Sequence, residues 1–248
     1  MRRLFLALCL LLFPAALSAA NPEQVSYPSG DQTVHALLYL PSGKGPHPAV
    51  VVIHEWWGLN DQIKDEATRF ASEGYAALAV DLYRGQVATD SGVAHELMRG
   101  LPQDRGVRDL LAAVKYLEGR KDIDSKHLGA VGWCMGGGFA AQLAVASPDI
   151  KAVAINYGSL PTDREALARI HAAILGNFGG QDHGITPDDV NAFAAALKSL
   201  GKSVDVKIYP DAGHAFENPN NKGVYRPDDT KDAEARMSRF FASELKTN

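Results

Sequence analysis

Cysteine is all but missing from this chain: its 248 residues include only Cys9 and Cys134. That scarcity excludes a disulfide framework. Blocks of basic residues are missing as well. Lys and Arg number 25 against 29 Asp and Glu, for a formal charge of −4. A mildly acidic chain without a basic stripe is not built to hold nucleic acid. No apolar run after the first twenty residues is long enough to span a bilayer. There is also no internal repeat, low-complexity tract or Pro/Gly-rich linker to divide the chain. What remains suits one domain of α/β type with a substantial core.

The first twenty residues, MRRLFLALCLLLFPAALSAA, have the three parts of a secretory signal peptide. Arg2 and Arg3 supply a basic start, Leu4 to Phe13 an apolar run, and Ser18 to Ala20 small residues before a cut ahead of Asn21. Leu8 precedes Cys9, where a lipoprotein signal requires a small residue, so lipid attachment is not expected. The expectation is a domain over residues 21–248, periplasmic or secreted, off the membrane once cleaved and working as a monomer. Cys134 would then be its single thiol, with no partner for an internal disulfide.

Short apolar and β-branched runs alternate with helical patterns. Strands are expected at Ala49–His54, Tyr75–Asp81, Leu128–Trp133, Lys151–Tyr157, Ala172–Phe178 and Asp205–Pro210. Their nearly continuous apolar character indicates burial on both faces, as in a parallel sheet. Helices are expected at Gln62–Ser72, Gln103–Leu117, Met135–Ala146, Pro187–Leu200 and Thr230–Leu245. Asp61 is a candidate cap for the first, and Thr186 before Pro187 a good start for the fourth. Gly74 and Gly201 stand where helices should stop. Ahead of these, Glu23–Tyr27 and Thr33–Leu40 read as an antiparallel hairpin at the sheet edge. The pattern predicts a mostly parallel central sheet with helices on both faces.

In such a sheet, ligands gather beyond the carboxyl ends of the strands. The segments found there are HEWWG, DLYRG, CMGGG, GGQDH and DAGHAF. Three of them carry a nucleophile, an acid and a base, in the order Cys134, Asp182, His214. GWCMG fits a nucleophile elbow, G-x-S-x-G with cysteine in place of serine. Gly132 and Gly136 would remove side chains that clash in the sharp strand-to-helix turn. The helix N-terminus beneath the sulfur favours a thiolate and offers N–H groups to an oxyanion. His214 would share the thiol proton, and Asp182 would fix the imidazole tautomer. Nucleophile, acid, then histidine is the chain order of α/β-hydrolase triads.

Taken together, HEWWGLN, GYAALAVDLY, VGWCMGG, GGQDH and GHAF resemble the dienelactone hydrolase family, over about Val50 to the C-terminal helix. The resemblance implies an α/β-hydrolase fold and a triad of Cys134, Asp182 and His214. It also implies a glutamate near the thiol, Glu55, and an oxyanion hole from the backbone N–H groups of Met135 and Trp56. Glu55 beside Trp56 and Trp57 should have a raised pKa through desolvation. Trp57 is a candidate pocket wall. Family members that open dienelactones hold the substrate carboxylate with arginines. Arg84 falls near one such place, while the other, beyond His214, carries Glu217 and Asn218.

His54, His183 and Glu55 match no standard metal spacing, and adjacent strand residues point to opposite faces. No metal or cofactor is expected. The expected activity is hydrolysis of a small-molecule ester or lactone through an acyl-thioenzyme. The alternatives are a periplasmic binding protein or a thiol-redox protein on the same scaffold.

Overall fold

Along the central strands, apolar side chains alternate between two separate cores, which is why those runs hold so few polar residues. The computed structural model describes residues 21–246; the expected signal segment lies outside them. The strands are β1 (Glu23–Ser29), β2 (Gln32–Tyr39), β3 (His47–Ile53), β4 (Ala76–Asp81), β5 (Ile123–Trp133), β6 (Ile150–Asn156), β7 (Ala173–Gly179) and β8 (Val204–Tyr209). They form one sheet in the order β1-β2-β4-β3-β5-β6-β7-β8. The β1–β2 and β2–β4 pairs are antiparallel. All pairs from β4–β3 to β7–β8 are parallel. The expected edge hairpin and parallel sheet are both present.

The helices are α1 (Asp61–Ser72), α2 (Ser91–Arg99), α3 (Gln103–Glu118), α4 (Met135–Ala146), α5 (Arg164–Ala168), α6 (Pro187–Ser199) and α7 (Pro227–Leu245). On one face, Val51, Ile53, Leu78 and Val80 pack with Leu110 of α3, Leu143 of α4 and Phe193 of α6. On the other, Val50, Val52, Ala77 and Ala79 pack with Phe70 of α1 and with Met237 and Phe241 of α7. Each fully buried large side chain contributes roughly 1.5–3 kcal/mol. The core therefore holds the strand ends, and the loops leaving them, in fixed relation.

Local chemistry sets the boundaries. Thr186 caps α6 in a reciprocal box with Asp189, followed by Pro187. Gly74 and Gly201 follow the ends of α1 and α6 at φ +94° and +70°, where an L side chain would be strained. The cap of α1 is Asn60, not Asp61. The Asn60 side chain accepts from the Ile63 N–H at 3.3 Å, and Asp61 is already helical and pairs with Lys64. Two helices were not expected. The α2 helix buries only Ala94 and starts on an Asp90 cap. The α5 helix has five residues and an Asp163 cap. Both are too short or too exposed to show an apolar stripe.

Candidate active site

Between the last residue of β5 and the first of α4 stands a single residue, Cys134. Its backbone, at φ 53° and ψ −119°, is strained for an L residue. The turn is possible because neighbouring backbones nearly touch. A Cβ on Gly132 would lie 2.1 Å from the Gly136 carbonyl oxygen, and one on Gly136 would lie 2.4 Å from that of Ile53. The Cys134 N–H is tied to the carbonyl of Asn156 at 3.0 Å. The result is a sharp strand-to-helix elbow with a free, half-buried cysteine at its tip.

His214 lies between the thiol and Asp182. Its Nδ1 is 2.7 Å from Asp182 Oδ2 and its Nε2 is 3.2 Å from Cys134 Sγ. Asp182 is buried, and its Oδ1 accepts from the N–H groups of Gly184 and Ile185 at 2.8 and 3.0 Å. Burial alone would raise the Asp182 pKa. The His214 and backbone hydrogen bonds outweigh it and hold the pKa below the usual aspartate value. Burial likewise works against a charged His214, but its bonds to Asp182 and Cys134 push the pKa up to about 10. An ionised Asp182 keeps the Nδ1 proton in place, leaving Nε2 to exchange a proton with sulfur.

Glu55 is almost fully buried, two residues beyond β3. Its Oε1 accepts from the Tyr157 hydroxyl at 3.0 Å and its Oε2 from Asn218 Nδ2 at 2.7 Å. The amide orientation is fixed, because Asn218 Oδ1 already accepts from the Asn220 N–H. Desolvation raises the Glu55 pKa, and the Tyr157 and Asn218 donors oppose that rise. The hydrogen bonds of this carboxylate go to Tyr157 and Asn218, with none to the sulfur. The segment beyond His214 thus anchors the site twice. Asn218 holds Glu55, and Glu217 Oε2 accepts from the indole N–H of Trp133, next to the nucleophile, at 2.9 Å. Tyr157 and Ala215, like Cys134, have positive φ. Backbone strain is concentrated at this site.

Sequence reasoning placed two further side chains here that the structure turns elsewhere. Arg84 pairs with Asp109 at 2.6 Å and also donates to the Asp81 carbonyl and Gln32. Asp109 is fully buried and needs a counter-charge, so Arg84 does not line the cavity over Cys134. Trp56 and Trp57 pack edge to face at 5.1 Å, and Trp56 packs again on His95 of α2. Trp56 thus buttresses α2, and neither tryptophan is among the residues lining the cavity over Cys134. His54 joins strand ends: Nδ1 donates to the Glu55 carbonyl at 2.6 Å and Nε2 accepts from the Leu82 N–H. Among the described residues, neither the N–H of Met135, first in α4, nor that of Trp56 has a backbone acceptor outside the regular helices and strands.

The thiol opens into a cavity of about 360 Å³. Met98 and Leu101, on and just beyond α2, line it together with Phe139, and Gln103, Gln142 and Tyr157 supply polar groups. Tyr157 and Asn218 are site residues whose roles the sequence did not disclose. Tyr157 looks like the last residue of an apolar strand, and only its pairing with Glu55 gives it a role. Met98 was hidden with its helix.

The eight-stranded, mostly parallel sheet flanked by helices is that of an α/β hydrolase. The chain belongs to the dienelactone hydrolase family, whose model matches residues 34–245. A Methylorubrum extorquens protein named "Putative carboxymethylenebutenolidase" is 33% identical over 88% of this chain and 79% of its own length. The solved structure "m3DLH" superposes with a TM-score of 0.84 at 27% identity, covering 92% of this chain and all of that one. A Klebsiella pneumoniae structure described as a "Putative Dienelactone Hydrolase" gives 0.80 at 28% identity, over 89% of this chain and 98% of that one.

Proposed function

We propose that this chain is an exported hydrolase of carboxylic esters and lactones that works through Cys134, His214 and Asp182. The observation that carries the proposal is His214 bridging Asp182 and the Cys134 sulfur at the floor of a cavity. The thiolate attacks the acyl carbon, and the carbonyl electron pair moves onto oxygen. The N–H groups of Met135 and Trp56 receive that oxyanion. Collapse breaks the bond to the leaving oxygen, which takes the Nε2 proton of His214, and leaves a thioester on Cys134. Neutral His214 then draws a proton from water, whose oxygen attacks the thioester. The acid departs and the thiolate–imidazolium pair returns. The buried Glu55 carboxyl group lies within range of the His214 charge.

Iodoacetamide should label Cys134 and abolish ester hydrolysis in parallel. Full turnover after stoichiometric labelling would reject the thiol mechanism. His214→Gln should lower kcat/KM by about 10²–10⁴-fold, the contribution of a positioned acid–base group, with Tm as the check on folding. Support for export comes from the N-terminal sequence. Its expected cut before Asn21 lies two residues ahead of β1.

A further inference from the structure

We infer that the substrate is an uncharged ester with an apolar arm, laid in a second compartment that adjoins the cavity over Cys134. This rests on the hydrolase reading above. Among its lining residues, the cavity over the thiol has no lysine or arginine. The arginines of the neighbouring segments are committed elsewhere: Arg99, next to Met98, pairs with Glu96 on the exposed side of α2. Arg84 neutralises buried Asp109, and Arg105 donates to the Leu82 carbonyl at 3.2 Å and lies 3.7 Å from Asp109. Beyond His214, Asn218 is occupied by Glu55 and Glu217 by Trp133. A carboxylate entering here would lose its hydration with no cation other than His214 to replace it.

The second compartment measures about 280 Å³ and shares Ser159, Leu160 and Ile185 with the first. Its further walls include Leu167, Phe193 and Ala196. Its ionisable lining residue, Asp189, accepts from the N–H and hydroxyl of Thr186 in the α6 cap. A negative charge at that rim disfavours an anionic ligand again. The two volumes meet along Leu160 and Ile185, beside the loop that carries Asp182. An extended chain held at Cys134 can therefore continue over that ridge and bury its methylenes against Leu167 and Phe193.

The test is kcat/KM across two neutral series: p-nitrophenyl esters of lengthening acyl chains, and acetates of lengthening alcohols. The series that gains identifies the arm. Transfer of a methylene from water favours binding by about fourfold, so a rise of that order per added carbon is expected in one series. Esters ending in a carboxylate should fall at least tenfold below neutral ones of equal length. Ala196→Trp fills the second compartment from the surface of α6, and should reduce the ratio of long-chain to acetate kcat/KM. Ala192→Trp, on the same wall, serves if that variant does not fold. Hydrolysis that is flat in both series, or that favours the carboxylate esters, would overturn the inference and leave the hydrolase reading standing. An unchanged ratio in a folded tryptophan variant would overturn the placement. Turnover of no ester at all would take down the hydrolase reading itself.

Discussion

Glu217 is the residue whose environment departs furthest from what its type prefers. It is buried, with one oxygen accepting from Trp133 and the other without a partner among the described residues. Burial raises its pKa well above the usual glutamate value, with Glu66 and Glu234 adding to the rise and Trp133 and Arg69 opposing it. The folded chain therefore holds a proton that the unfolded chain releases. With more protons bound in the folded state, stability falls as pH rises above about 4.5, where an unfolded glutamate titrates. Glu217→Gln keeps the shape and the acceptor for Trp133 but removes that titration. The variant should match the parent near pH 4 and become the more stable one as pH rises, by at most about 1.4 kcal/mol per pH unit. Thermal melts from pH 4 to 8 measure the divergence, and parallel curves would mean that Glu217 is ionised in the fold. None of this was legible in GHAFENPN, where Glu217 and Asn218 stood out only as replacements for an expected arginine.

At the scale of elements, the elbow was the most legible feature, because glycines at 132 and 136 fit no strand or helix preference. The sequence did not distinguish the neighbouring glycines from one another, since that depends on which backbone comes opposite. Gly158, after β6, faces the first turn of α4, and a Cβ there would lie 2.2 Å from the Gly137 carbonyl carbon. Gly138 borders the cavity over Cys134, and an added Cβ would come no closer than 3.4 Å, to Ser159 Cβ and N. Gly158→Ala must push α4 away and should cost about 1–3 kcal/mol. Gly138→Ala relieves a glycine inside a helix and should be neutral or stabilising by up to about 1 kcal/mol. Chemical denaturation of both variants decides the matter; equal effects would mean that the contact at Gly158 is looser than described. A polar ladder behind the elbow was equally hidden. Asn177 donates to Asn156 at 2.9 Å, Asn156 donates to the Gly132 carbonyl, and Arg236 of α7 donates to Asn177. Sequence spacing cannot show that two asparagines 21 residues apart stand opposite each other on adjacent strands.

For the whole molecule, legibility followed the number of neighbours each residue has in sequence. The inner strands have two apolar faces and announced themselves. The meeting of Cys134, His214 and Asp182 followed, because each stands just past a strand that could be located. Side chains whose targets are distant in sequence did not follow, which is why Arg84 was read as a substrate group when its partner is Asp109. The amino terminus poses the same question at the largest scale, because an export cut must leave the sheet intact. The β1 strand begins at Glu23 and pairs with β2 along its length, from Glu23 opposite Leu38 to Ser29 opposite Gln32. Val25 and Tyr27 lie in the core, and Glu23 pairs with Arg120. A chain starting at Asn21 keeps all of these contacts. Its Tm should lie within about 2 °C of the full chain, a difference under 1 kcal/mol for a domain of this size. A chain starting at Gly30 loses β1, and with Val25 and Tyr27 roughly 3–6 kcal/mol of burial. Its Tm should drop by about 6 °C or more. Mass spectrometry of the protein recovered from outside the cytoplasm should then find Asn21 at or near the amino terminus. A cut beyond Glu23, or a shortened chain as stable as the parent, would mean that β1 is not needed and that the segment was misread.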